Sequence, residues 1–184
     1  MDTLTNQFLI AMPSLVDPNF HRTVTLICQH NEHGALGIVI NRVTDVTMQE
    51  IFEQMDIPAP AGRYLQQPVF NGGPVQTERG FILHEAAHRW DATLTVGPDL
   101  ALTTSQDILV AMSRDAGPDR CLVALGYAGW GAGQLEREMQ ANAWLSGPAD
   151  TDIIFGAAVS ERWAQAAQMI GVDIHRISSE AGHA

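Results

Sequence analysis

The chain has 184 residues, 46% of them hydrophobic, which suits a single domain with a substantial buried core. Twenty-one acidic residues oppose ten basic ones, giving a formal net charge of -11, and all ten basic residues are arginine. Without lysine there can be no lysine Schiff base, P-loop lysine or lysine general base, and an acidic chain without a basic run disfavours direct nucleic-acid binding, because neutralised phosphates supply most of that affinity.

Cys28 and Cys121 are the two cysteines, each inside an apolar, β-rich run, so they read as small core residues in a reducing compartment. Asp2 stands where a signal peptide would carry positive charge, and residues 8–12 are too few for its apolar core. No apolar stretch has the length that spans a bilayer. The expectation is a cytoplasmic protein with no membrane partner.

In chain order, residues 8–12 form an apolar run closed by Pro13 and predict an early strand. Residues 23–30 are β-branched and alternating, residues 31–34 offer turn chemistry, and residues 35–41 predict the second strand of a hairpin. His21, His30 and His33 lie around it, but no cysteine or carboxylate completes a metal-ligand spacing. Thr47 followed by Glu50 has the form of a capping box, with Met48, Ile51, Phe52 and Met55 on one predicted helix face. Pro58 and Pro60 end that helix, residues 67–70 return to the sheet, and residues 71–74 signal a turn.

Residues 80–84 predict a strand, and His84-Glu85-Ala86-Ala87-His88 matches H-E-x-x-H letter for letter. That motif presents two imidazoles to zinc only from a continuous helix. Here a strand pattern precedes it and another, over residues 93–96, follows, so a strand-end histidine with a surface loop is the favoured assignment, and no metal is expected. Thr103, Thr104 and Ser105 precede a helix carrying Ile108, Leu109 and Met112 on its buried side. Their hydroxyls suit either an anion at the helix N-terminus or the capping of its amides, with capping favoured. Residues 152–155 predict a short strand, residues 160–170 a helix with Trp163, Ala166, Ala167 and Ile170 inward, and residues 174–177 an edge strand. Residues 178–184 read as a polar tail.

The chain is organised around residues 121–144. A continuous apolar run at 121–125 predicts a strand covered on both faces, and residues 134–142 a helix. Between them Gly126, Gly129, Gly131 and Gly133 predict a glycine-rich turn where backbone can approach a neighbour or a ligand closely. A nucleotide loop does not fit: Gln134 stands where a third glycine would follow Gly129 and Gly131, and Glu136 and Glu138 oppose a phosphate at that helix start. No cofactor is expected. Tyr127 and Trp130 could stack on a ring or a partner, or tuck over the adjacent core, the more ordinary use. No G-x-S-x-G elbow marks an activated serine.

The string from Leu125 through Gly126, Tyr127, Gly129, Trp130, Gly131 and Gly133 to Leu135, with Asn142-Ala143-Trp144 after it, resembles the hallmark of the AlgH/YqgE family of bacterial proteins. Further matching strings are residues 8–13, 34–42, 72–75, 83–84, 102–105 with Asp107, Trp163 and 181–184. Val43, where the family often has proline, and Glu85 with His88 depart from its pattern. The resemblance implies one α+β domain over residues 1–184, its mixed sheet curled into a partly open barrel with helices packed outside. One member is associated with control of alginate exopolysaccharide production and has been called a candidate transcriptional regulator, but the family brings no catalytic residues or cofactor.

Two functions remain open. The first is a non-enzymatic regulatory or interaction protein with an unidentified protein or small-molecule partner, whose binding surface gathers Asn41, Arg42, Gly72, Gly73, His84, Thr104, Ser105, Tyr127, Gly129, Trp130, Gly131 and Gln134. The alternative is an enzyme acting on a small anionic metabolite, with His84 as acid or base and arginines holding the anion.

Overall fold

A computed structural model describes residues 3–177. The tail assigned to residues 178–184 and the matching string at 181–184 lie outside the described residues. Strand β1 (Gln7–Ala11) is followed by the expected hairpin of β2 (Val24–Asn31) and β3 (Gly34–Val39), then by β4 (Val43–Thr47) and helix α1 (Met48–Gln54). The α1 capping box forms as the spacing implies: the Thr47 hydroxyl accepts the Glu50 N–H and the Glu50 carboxylate accepts the Thr47 N–H at 2.7 Å. Met48 and Phe52 are buried, whereas Met55 faces solvent.

Next come β5 (Pro68–Asn71), β6 (Val75–Glu85), β7 (Thr93–Thr95), β8 (Leu100–Thr103) and α2 (Asp107–Ser113). The central strand β9 (Cys121–Gly131) leads to α3 (Gln134–Gln140), β10 (Trp144–Pro148), α4 (Thr151–Phe155) and α5 (Arg162–Met169).

The strands join in the order β10-β1-β2-β3-β9-β6-β8-β7, with β5 also on β9 and β4 outside it. All pairs but one are antiparallel; β5 runs parallel to β9. This mixed sheet curls into a half-barrel accompanied, among the described residues, by five α-helices, the expected α+β architecture. One apolar cluster joins strands from both ends of the sheet, including Phe8, Leu26, Phe81 and Leu122, to Ile154 of α4 and Trp163 of α5, so these helices pack against that cluster. A second cluster lies under α1 and α2, and a third, around Trp130 and Trp144, under α3.

Four expectations are corrected. The glycine-rich turn is strand: β9 continues through Gly126, Gly129 and Gly131, and the chain turns only at Ala132-Gly133. Pairing with β3 and β6 overrides glycine's weak strand propensity there. Residues 152–155 form helix α4, because the Asp150 carboxylate accepts the Ile153 N–H and nucleates a turn that a four-residue apolar run cannot reveal. Residues 174–176 form a 3-10 turn capped by Asp173, not an edge strand. None of the three hydroxyls before α2 caps it; they are engaged elsewhere or face a cleft.

Candidate functional site

Strand β9 changes neighbours half-way along one edge. Residues 123–125 pair with β5 and residues 128–131 with β3. Gly72 bridges the seam: its N–H donates to the Leu125 carbonyl at 2.8 Å, and its own carbonyl accepts the Val39 N–H at 2.9 Å. On the other edge β6 jumps register, from Val75 opposite Tyr127 to Gly80 opposite Leu125. Gly126 absorbs the jump with φ 77°, so side chains beyond it change face. Tyr127 accordingly packs on the first cluster while Ala128 and Trp130 pack under α3.

The glycines of this seam are packed backbone to backbone. A Cβ on Gly72 would overlap the Gly126 carbonyl, and one on Gly73 the Tyr127 carbonyl. A Cβ on Gly126 would lie 2.5 Å from the Gly73 carbonyl oxygen, and one on Gly34 would overlap that of Trp130. Gly129 and Gly131 are less confined; the nearest atom to a Cβ on Gly131 is 3.9 Å away.

The expected candidates fall into separate places. Asn41 is structural glue, its side chain accepting the Val24 N–H and donating to the Arg22 carbonyl. Arg42 donates to the carbonyls of Pro18, Asn19 and His21 at 2.7, 2.8 and 3.0 Å. With Gly73 it borders a small cleft of about 270 Å³. Gln134 accepts the Gly131 N–H and donates to Glu138, whose other carboxylate oxygen accepts the indole N–H of both Trp130 and Trp144. Tyr127, Gly129 and Trp130 line an open groove of about 460 Å³ beside the β2–β3 hairpin.

His84 is fully buried near the end of β6. Its Nδ1 faces the Glu85 carbonyl at 2.8 Å and so carries the proton, which leaves Nε2 to accept the Thr103 hydroxyl at 2.7 Å. Burial holds its pKa below the ordinary histidine value, with the Glu85 hydrogen bond opposing and nearby His88 reinforcing that shift. The H-E-x-x-H string is not helical: His84 and Glu85 end a strand and residues 86–87 turn. Among the described residues no group of three or more His, Cys, Asp or Glu converges as a metal site would require. His84 and Arg42 do not meet in one cleft.

Thr104 and Ser105 border a third cleft, of about 580 Å³, between α1 and α2. Its floor is Ile82, Val123 and Leu125, its walls include Ile51 and Leu109, and Gly80 interrupts the floor. Ile51 and Leu109 were expected only as core-facing helix residues, and Gly80, Ile82, Val123 and Leu125 were not among the expected binding residues. The signal was present in the phase of Gly80 with Ile82, two residues apart on one strand face.

The AlgH-like family model matches residues 8–175. The chain belongs to the AlgH-like family. It is 57% identical to a UPF0301 protein of Thioalkalivibrio sulfidiphilus over 98% of this chain and 96% of that one. It is 53% identical to a UPF0301 protein of Hahella chejuensis, over 100% of this chain and 98% of that one. The solution structure of the AlgH protein of Pseudomonas aeruginosa superposes with a TM-score of 0.81 at 46% identity, covering 100% of both chains. A Corynebacterium diphtheriae protein at 20% identity shares the fold with a TM-score of 0.75, over 95% of this chain and 91% of that one. Membership in the AlgH-like family agrees with the seam: the glycine- and tryptophan-rich string that marks the resemblance is the strand on which the half-barrel is assembled. Among the described residues no helix is long and apolar enough to cross a membrane.

Proposed function

We propose that this member of the AlgH-like family is a non-enzymatic regulatory or interaction protein of the cytoplasm that works by reversible binding, without direct contact to DNA. The observation that carries this reading is the saturation of His84: both ring nitrogens are hydrogen-bonded inside the core, with no face left for a substrate. Arg42, the cation an anionic metabolite would need, is taken up by three backbone carbonyls. The net charge of -11 supports a partner other than a phosphate backbone. The surface we assign to binding is the cleft between α1 and α2, where Thr104 and Ser105 stand.

The test is gentle purification from cells followed by mass spectrometry of retained proteins and small molecules, for the native chain and His84→Gln. A partner retained chemically unchanged by both supports the reading. Conversion of a retained molecule that stops in His84→Gln contradicts it.

A further inference from the structure

The cleft between α1 and α2 has a cause in the sequence. In the β6–β9 ladder Gly80 lies opposite Leu125 and Ile82 opposite Val123, so these four positions tile one patch of the sheet. Three carry branched apolar side chains and the fourth carries none. Gly72, Gly73 and Gly126 of the seam are required by close backbone or by positive φ, but neither reason applies to Gly80. Its φ lies outside the left-handed region, and a Cβ there would meet nothing within 4 Å. A glycine inside a strand weakens it, and marks a bulge, a bend or the close approach of something else. What Gly80 supplies is open space over the sheet, flanked by Ile51 of α1 and Leu109 of α2.

The polar groups around that space narrow what fits. The hydroxyls of Thr103 and Ser105 are engaged by His84 and by Asp107, which leaves the hydroxyls of Thr77 and Thr104 and the amides of Gln54 and Gln106 as the neutral polar groups of the lining. Asp107 already places negative charge in the first turn of α2, accepting the Asp91 and Ile108 N–H groups, and Glu78 adds another carboxylate at the rim. The rim's arginine, Arg79, lies over the Phe81 ring at 5.4 Å and donates to Gln76. The lining itself carries one carboxylate, Glu78, and one guanidinium, Arg79, so it offers an anion no net positive charge. A volume of about 580 Å³ over an apolar floor with few neutral polar groups is the make-up of a small-molecule pocket.

We infer that this cleft binds an uncharged amphiphile, an apolar body over Gly80 with an amide or hydroxyl head at Thr104. The inference rests on the binding role proposed above and gives it a ligand class.

The experiment is an NMR titration of the full chain with octanamide, with octanoate as the charged counterpart. Octanamide should give saturable shifts clustered at Gly80, Ile82, Thr104 and Leu125, at least tenfold tighter than octanoate. Gly80→Leu should fill the floor and abolish those shifts while leaving the melting temperature within a few degrees. Thr104→Val, which keeps the shape and loses the hydroxyl, should weaken octanamide by about fivefold. Absence of saturable shifts, equal binding of octanoate, or shifts that persist in a folded Gly80→Leu protein would overturn the site. If octanamide binds there and is hydrolysed in the tube, the site stands and the non-enzymatic reading fails.

Discussion

The carboxylate of Glu138 accepts the indole N–H of Trp130 at 2.9 Å. The same oxygen accepts the Trp144 indole at 2.9 Å, and Phe20 packs edge-on against Trp144 and tilted against Trp130. One helix residue thus ties the end of the central strand to the edge strand β10 and holds the third apolar cluster in shape. Glu138→Ala should leave two buried indole donors unpaired and cost about 2 kcal/mol of unfolding free energy. Glu138→Gln, which keeps an acceptor, should cost less. Urea denaturation followed by tryptophan fluorescence reads both, with a red-shifted native emission expected for the alanine variant.

The buried neutral His84 makes stability depend on pH in one direction. An unfolded histidine titrates near about 6.5, and the folded value lies lower because burial opposes the charge. Between those values the unfolded chain binds the extra proton. The stabilisation is therefore complete above the unfolded value and is lost as pH falls through that window toward the folded one. Unfolding free energies measured from pH 7.5 to pH 5 should decline more steeply in the native chain than in His84→Gln. Equal slopes would assign the dependence to other groups.

Both cysteines should behave as inert core residues. Burial raises the Cys28 thiol far above its ordinary range and pushes Cys121 up to about 12, against the lowering effect of Arg63. Thiolate, the reactive form, is then scarce at neutral pH. A chromogenic disulfide reagent at pH 7.5 should modify the folded protein more than about a hundredfold slower than the urea-unfolded chain. Rapid modification of one thiol in the folded state would contradict its assignment as a core residue.

Elements set by local chemistry were legible in the sequence. The Thr47–Glu50 capping box and the turn between β2 and β3 depend on residues a few positions apart, and both stand where expected. Strands held by distant partners were not. β10 exists because residues 144–148 pair with β1 at the other end of the chain, and β4 alternates around an exposed Val43 with little apolar signal. The glycines of β9 look like a turn because glycine normally breaks strands, and it is pairing with the distant strands β3 and β6, with Gly72 and Gly73 packed against Gly126 and Tyr127, that carries the strand through them. The candidate site was legible in part. Thr104 and Ser105 do border a cleft, but the position that opens it, Gly80, was read only as the start of a strand. His84 drew attention through a motif whose helix never forms.

The central claim is that the glycines where β5, β6 and β9 meet are there to let main chain pack against main chain. It is tested most directly by comparing the unfolding free energies of Gly73→Ala and Gly131→Ala in urea. Gly73 has φ 152° and no room for a Cβ beside Tyr127, whereas a Cβ on Gly131 meets nothing closer than 3.9 Å. Gly73→Ala should lose more than about 2 kcal/mol or fail to fold, and Gly131→Ala should stay within about 0.5 kcal/mol of the native chain. A harmless Gly73→Ala, or a Gly131→Ala as damaging as its counterpart, would contradict the account.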